Sequence, residues 1–325
     1  MITALIALLS QGLNAPPEGA VLVKGASELL IHQRGSAVRK LPMKGIRGAS
    51  ATDQFVWAWN LEMLTICSVK SKRQWQLEQR GITGCAYMGR DSFVVQLKSD
   101  DTDRPSVFLL ELPPGKEPLT LLPLFDEGGI KFHNNYGFLP VTAFAVDVTN
   151  HRFFAGVGPD LWGSGEPNEW FSGPSSAVDV PLAARDPWWD LARILPLGLM
   201  RTRQYENWEP SEVKELHSNQ ATGQLAGWVG SANSGSWETG FVIDFVQREP
   251  KKREIIGRAM RWSPTGKYLA VDETRRGMPG SHIVKLLDGK TLRKVMGYEG
   301  SLIGWIPSRD IPQLESIINH WDFPF

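Results

Sequence analysis

The chain has 325 residues and a formal net charge of zero, with 35 basic and 35 acidic side chains. A neutral chain lacks the excess of positive charge that marks most nucleic-acid-binding domains, so no nucleic-acid partner is expected. Its two cysteines, Cys67 and Cys85, lie in predicted strands, and no Cys/His spacing is typical of a zinc site. Two buried thiols are favoured over one disulfide, and neither a metal site nor a cofactor is predicted.

The N-terminal segment, residues 1–20, allows two interpretations. Residues 2–9 are apolar but too short to cross a bilayer, so no membrane span is predicted. They resemble the apolar core of a signal peptide cleaved after Ala15, although no Lys or Arg precedes them and Leu13 is a poor residue near such a cleavage site. The alternative is a strand or helix packed on the rest of the protein. Export and a cytoplasmic location therefore remain equal alternatives.

From residue 28 onwards, short apolar strands alternate with polar turns. A first strand–turn–strand pattern at 28–42 is followed by copies at 45–58, 81–97, 141–155, 216–229 and 257–271, and by a truncated copy at 300–306. In the copy at 257–271, Pro264 and Gly266 stand where a tight turn needs a fixed and a positive φ. Further short strands follow most copies, so the unit is about four antiparallel strands in ~40 residues, as in propeller blades.

This repeat predicts an all-β fold, a six- or seven-bladed β-propeller over residues 21–310. Five aromatic residues beside the repeated turns are expected to be mostly buried: Phe55, Phe93, Phe153, Trp262 and Tyr268.

Residues 311–325 are predicted to contain a short C-terminal helix, because helical spacing places four apolar residues on one face: Leu314, Ile317, Ile318 and Trp321. Two basic runs, 69–74 and 249–254, are interpreted as solvated turns.

The stretch RWSPTGKYLAV at 261–271 resembles the WSPDGKxLAF signature of WD40-like and TolB-like β-propeller repeats, with Thr265 in place of the aspartate. The copies at 45–58, 81–97, 141–155 and 216–229 are similar to it more loosely. The resemblance implies a propeller and indicates no subfamily.

The blade rhythm is weakest in an irregular, Gly/Pro-rich insertion around residues 158–190. Such insertions often carry the binding surfaces of propellers. The insertion places tryptophans beside carboxylates, and its candidate binding residues are Asp160, Trp162, Glu166, Glu169, Trp170, Trp188 and Trp189. Rings stack on sugar faces and carboxylates accept hydrogen bonds from hydroxyl groups, so a carbohydrate ligand is one alternative. A packed loop whose tryptophans cover blade edges is the other.

One histidine, His133, is a further binding candidate, as a base or a ligand just before a predicted strand, although a hydrogen-bonded loop residue is the commoner role. No metalloprotease, nucleophile-elbow, P-loop or dinucleotide-binding motif occurs. No catalytic residue is therefore predicted.

A recognisable scaffold without a recognisable active-site motif favours a non-catalytic propeller that binds a protein or peptide partner. The main alternative is a carbohydrate-active or other hydrolytic enzyme with its site near 158–190, where two carboxylates could serve as acid and as nucleophile or base. A propeller of the cell envelope that binds a small ligand or metal is a third alternative.

Overall fold

A computed structural model describes the chain over residues 15–98, 105–115, 117–124, 129–131, 138–149, 152–157, 177–181, 211–231, 238–244, 251–274 and 280–321. Most of the predicted N-terminal segment, residues 1–14, lies outside this part. The chain divides into two compact units: unit 1 comprises residues 1–82 and 261–325, and unit 2 comprises residues 83–260.

The described residues are almost entirely β-structure. In chain order the strands are β1 (Ala20–Lys24), β2 (Glu28–Gln33), β3 (Arg39–Pro42), β4 (Gly48–Ala51), β5 (Phe55–Trp59), β6 (Met63–Ser68), β7 (Gln74–Glu78), β8 (Ile82–Gly89), β9 (Ser92–Lys98), β10 (Pro105–Glu111), β11 (Leu121–Pro123), β12 (Gly129–Lys131), β13 (Phe138–Asp147), β14 (Arg152–Val157), β15 (Ala177–Pro181), β16 (Ser211–Ser218), β17 (Leu225–Ser231), β18 (Glu238–Asp244), β19 (Lys251–Ile255), β20 (Arg258–Trp262), β21 (Tyr268–Thr274), β22 (His282–Asp288), β23 (Lys294–Glu299) and β24 (Ser301–Ile306). A 3₁₀ turn (Ser308–Asp310) leads into helix α1 (Ile311–Asn319).

The strands group in fours. Unit 1 holds the groups β24-β1-β2-β3, β4-β5-β6-β7 and, from the unit boundary onwards, β20-β21-β22-β23. Unit 2 holds β8-β9-β10-β11, β12-β13-β14-β15 and β16-β17-β18-β19. Except in the first group, the strands follow one another in chain order, which is the order expected of propeller blades.

The group β12–β15 is interrupted. Its strand β12 pairs only with the first residues of β13, Phe138 to Pro140, whereas β14 pairs with β13 from Val141 onwards. Proline lacks the N–H that a ladder needs, and the register shifts between Val141 and Ala143. The predicted six or seven blades are therefore corrected to five complete ones within the described residues.

The first sheet joins the two ends of the described chain. Strand β24 pairs antiparallel with β1, from Ala20 opposite Ile306 to Lys24 opposite Ser301. The residue before β24, Gly300, has a φ of +117°, which is almost confined to glycine. A Cβ at Gly300 would lie 2.4 Å from the carbonyl oxygen of Lys24. The last strand therefore enters the sheet through a backbone conformation that only glycine can supply at this contact.

Polar residues set the hairpin turns. At the β6–β7 turn, the amide of Ser68 donates to the Arg73 carbonyl at 2.9 Å. The β22–β23 turn repeats this bond from Asp288 to Arg293 at the same length, and the Asp288 carboxylate accepts the Thr291 amide at 2.7 Å. A side-chain oxygen at the start of a turn thus accepts a backbone amide that has no partner in the neighbouring strand. The prediction of turns at both basic runs is half right, because residues 251–254 belong to strand β19.

The predicted core is confirmed. Phe55, Phe93, Phe153 and Trp262 are buried and Tyr268 is half-buried. Both cysteines are buried and free. The predicted helix is also confirmed, since α1 packs against β5 and β6 and buries its apolar face, Leu314, Ile317 and Ile318, together with Trp321 beyond its end.

We expect Gly300→Ala to destabilise the protein more than Gly35→Ala. Both glycines have positive φ, but an alanine Cβ at Gly35, where φ is +71°, would meet no heavy atom within 4 Å, whereas Gly300 faces the β1 backbone. The Gly35 variant should lose about 1 kcal/mol from the left-handed conformation, and the Gly300 variant clearly more. Urea unfolding of both variants measures the difference, and equal losses would contradict the role assigned to Gly300.

Candidate functional site

The residues predicted to bind a ligand lie outside the described part of the chain. This holds for the whole set: His133, Asp160, Trp162, Glu166, Glu169, Trp170, Trp188 and Trp189. The structure therefore neither brings them together nor separates them. It does place strand β15 inside the segment interpreted as an insertion, where it pairs with β14 from Gly156 opposite Ala177 to Arg152 opposite Pro181.

Two long connections flank β15. Residues 158–176 join β14 to β15, and residues 182–210 join β15 to β16. The longest of the other connections between described strands is 112–120. Long connections on a regular scaffold are where binding residues tend to concentrate. The topology thus divides the candidate tryptophans into two pairs, Trp162 with Trp170 and Trp188 with Trp189.

A second candidate surface lies in unit 1, at one end of its sheets. In each of two sheets, the turn between the first and second strands meets the turn between the third and fourth strands there. The amide of Val69, in the β6–β7 turn, donates to Gln54 in the β4–β5 turn at 2.8 Å. The amide of Gly289 likewise donates to Lys267 at 2.8 Å, across the corresponding turns of β20–β23. We call this surface the basic end and define it as residues 15–19, 34–38, 52–54, 69–73, 263–267, 289–293 and 307–310.

The basic end carries a marked excess of cations. Seven exposed basic side chains belong to it, together with the half-buried Arg73: Arg34, Lys70, Lys72, Lys267, Lys290, Arg293 and Arg309. Its acidic residues are Glu18, Asp53 and Asp310. The interpretation of residues 69–74 as a solvated turn missed this surface, because its cations come from turns far apart in the chain.

Asp310 is buried at the start of helix α1. Its side chain is 1% exposed, and neither carboxylate oxygen has a hydrogen-bond partner. The Arg309 Nε lies 3.8 Å from Oδ1. Burial raises the pKa of Asp310, and the charges of Arg309 and Lys72 oppose that rise. Arg309 and Lys72 therefore both act on one buried carboxylate, although they come from opposite ends of the chain.

A buried Asp–His pair has a structural role. The Asp272 Oδ1 lies 2.8 Å from Nδ1 of His282, and Oδ2 accepts the amide of Leu302 at 3.1 Å. Asp272 thus ties β21 and β22 to the first strand of the neighbouring sheet, β24. With both of its oxygens engaged, this carboxylate is occupied in holding the sheets together. Within the described residues, no group of three or more His, Cys, Asp or Glu side chains could hold a metal ion.

The chain resembles known proteins in structure rather than in sequence. No protein-family model and no curated protein matches it. Solved structures do: TolB from Acinetobacter baumannii superposes with a TM-score of 0.54 at 9% identity, covering 93% of this chain and 71% of TolB. The fold is a TolB-like β-propeller.

Apo AztD from Citrobacter koseri has a TM-score of 0.42 at 10% identity, covering 89% of this chain and 88% of AztD. A hypothetical selenium-binding protein from Sulfolobus tokodaii has a TM-score of 0.46 at 10% identity, covering 88% of this chain and 76% of its own. Both TM-scores lie below 0.5. At such low identity, similarity to TolB establishes the fold alone. Searched over the described residues, no helix is long and apolar enough to cross a membrane.

We expect Asp310→Asn to stabilise this TolB-like propeller at neutral pH. The substitution removes a buried charge and keeps a residue that serves equally well at a helix start. Because burial raises the pKa of Asp310, the folded wild type holds a proton that the unfolded chain releases near pH ~4. The stability of the wild type therefore falls as pH rises from that value through the folded pKa, and the variant lacks this loss.

Thermal unfolding across a pH series measures the effect. The advantage of Asp310→Asn should grow as pH rises through this window and then stay constant. Asp53→Asn, at an exposed acidic position of the same surface, is the matched control and should change neutral-pH stability by no more than about 0.5 kcal/mol. A variant less stable than the wild type at neutral pH would show that Arg309 more than compensates the buried charge.

Proposed function

We propose that the protein is a non-catalytic β-propeller that binds another protein through the connections 158–176 and 182–210. The observation that carries the proposal is the length of these two connections, which lie on either side of one short strand, β15. The other connections between described strands are shorter. Tryptophan is strongly enriched among residues that dominate binding energy, and each connection contributes two of the predicted tryptophans.

The described residues support a scaffold role. Side chains tie neighbouring sheets to one another: in unit 2, Gln96 Nε2 donates to the Val141 carbonyl at 3.1 Å, and Ser218 Oγ donates to the Val146 carbonyl at 2.6 Å. These two bonds fix the sheet of β13 against its neighbours, the sheets of β9 and β16. A rigid framework lowers the ordering cost of binding for the segments it carries.

The test compares three baits in quantitative affinity capture from the source cells. The first is the wild type, the second carries Trp162→Ala, Trp170→Ala, Trp188→Ala and Trp189→Ala, and the third carries Leu61→Ala and Leu122→Ala. Leu61 and Leu122 are exposed apolar residues outside both connections, 45% and 49% exposed. We expect a protein captured by the first and third baits to be depleted about 30-fold on the second, as loss of a hot spot of ~2 kcal/mol implies.

Capture of the same proteins in equal amounts by all three baits would contradict the proposed site. Circular dichroism and thermal unfolding of each bait ensure that any depletion does not arise from misfolding.

The enzymatic alternative rests on carboxylates of the same segment, Asp160, Glu166, Glu169, Asp186 and Asp190. It requires two of them to face each other ~5–10 Å apart across the scissile bond. Glycoside hydrolysis by the wild type that is abolished by Glu166→Gln or Glu169→Gln would replace the binding proposal with this one. Hydrolysis unaffected by any of the five amide substitutions would point to a contaminant.

A further inference from the structure

The basic end of unit 1 is a surface that the proposed function does not use. Its exposed charged side chains are seven cations and one carboxylate, Asp53, although the chain as a whole is neutral. A local excess of one sign on a neutral protein produces a surface potential that attracts partners of the opposite charge.

The carboxylates at or beside this end are Asp53 and three others, so they offset only part of the charge of its eight cations. Asp310 is buried. The Glu18 carboxylate accepts the amide and the hydroxyl of Thr265, at 3.1 and 2.7 Å. Asp288, at the edge of this surface, accepts amides of its own turn from Lys290 and Thr291. The turns are thus built with carboxylates as hydrogen-bond acceptors, while their basic side chains face solvent.

The cations are carried on ordered turns. Lys72 and Leu292 occupy the same left-handed position in the two third-hairpin turns, with φ of 59° and 57°. In each turn their amide closes a bond to the first turn residue, Ser68 or Asp288, at 3.0 and 2.7 Å. The side chains therefore project from fixed backbone positions, which reduces the entropy lost when a partner binds.

An aromatic residue beside the basic end favours one class of partner. The Arg73 guanidinium lies 4.7 Å from the ring centroid of Trp75, and the Phe55 ring packs against Trp75 at 6.2 Å in an edge contact. Arg73 therefore covers one face of the half-buried Trp75. Single-stranded nucleic acids are bound by open aromatic faces interleaved with cations, and this tryptophan does not offer such a platform. Arginine and tryptophan are both enriched among the residues that dominate binding energy at protein interfaces.

We propose that the basic end binds an acidic segment of a protein partner. Its cations stand on separate turns with Asp53 among them, an arrangement suited to individual carboxylates rather than to a continuous phosphate backbone. The proposal rests on described residues of unit 1 alone. It therefore stands or fails independently of the binding proposed for 158–176 and 182–210.

Fluorescence anisotropy with a labelled poly-glutamate peptide tests the proposal. The test variant carries Arg34→Glu, Lys70→Glu and Arg293→Glu, on three turns of the basic end. The matched control carries Lys24→Glu, Arg47→Glu and Arg80→Glu, exposed cations of unit 1 outside the basic end, with the same change of net charge. The wild type should bind the peptide, more weakly as salt rises. The test variant should bind at least about tenfold more weakly, and the control within about twofold of the wild type.

Three results would overturn the proposal. Equal losses in the test variant and the control would mean non-specific attraction. Tighter binding of an oligothymidine of equal charge, or of phosphatidylserine vesicles, would assign the surface to a different partner. Absence of peptide binding by the folded wild type at low salt would refute the proposal. If charge reversal unfolds the test variant, the same three positions are changed to glutamine instead. This variant should still bind the peptide more weakly than one with glutamine at the three control positions. Equal binding by the two glutamine variants would count against the proposal.

Discussion

The antiparallel pairing of β24 with β1 is the contact on which the rest of unit 1 depends. It joins residues from the two ends of the described chain, Ala20 and Ile306, and so closes a loop that contains nearly all other elements. Closing so long a loop costs entropy, although the cost grows only logarithmically with its length. Burial offsets it, since Val21, Leu22 and Val23 on one strand and Leu302, Ile303 and Ile306 on the other are almost fully buried.

Several contacts reinforce that pairing from outside the ladder. The indole of Trp305 in β24 donates to the carbonyl of Glu18, and the carboxylate of Glu18 holds Thr265 in the neighbouring sheet. Helix α1 follows β24 through the 3₁₀ turn and packs on the adjacent sheet, where the Trp321 indole donates to the Thr65 hydroxyl at 3.0 Å. Lys44 donates to the carbonyl of Trp321 at 2.7 Å beyond the end of the helix. The same C-terminal residues thus complete one sheet and cover another.

The pairing of β24 with β1 and the packing of α1 also position the basic end. The 3₁₀ turn between β24 and α1 brings Arg309 to the cations of the β6–β7 turn, because α1 must run along β5 and β6 to bury its apolar face. Asp310 is buried by the same packing. The basic end is therefore a consequence of how the chain closes, and its turns combine their charge only in the folded state.

The fold could largely be predicted from the sequence because its signals are local. Alternating apolar residues and Pro/Gly turns, as in 261–271, identify strands and hairpins, and the spacing of Leu314, Ile317 and Ile318 identifies the helix. The pairing of β24 with β1 could not be derived in this way, since no local pattern records which distant strand completes a sheet. The same limit explains why Lys70, Arg293 and Arg309 were not grouped into one surface. Strand β19 was misread because its charged residues, KKRE, obscure the alternation of an outer strand.

Native-state hydrogen exchange tests the central claim most directly. If the pairing of β24 with β1 holds unit 1 together, the inter-strand amides of both strands should exchange only when unit 1 unfolds as a whole. Their free energy of exchange should then equal that of the central strand β5 and should fall together with it in denaturant. Exchange of β1 and β24 amides at a free energy well below that of β5 would show that the ends of the chain open independently, which would contradict the account.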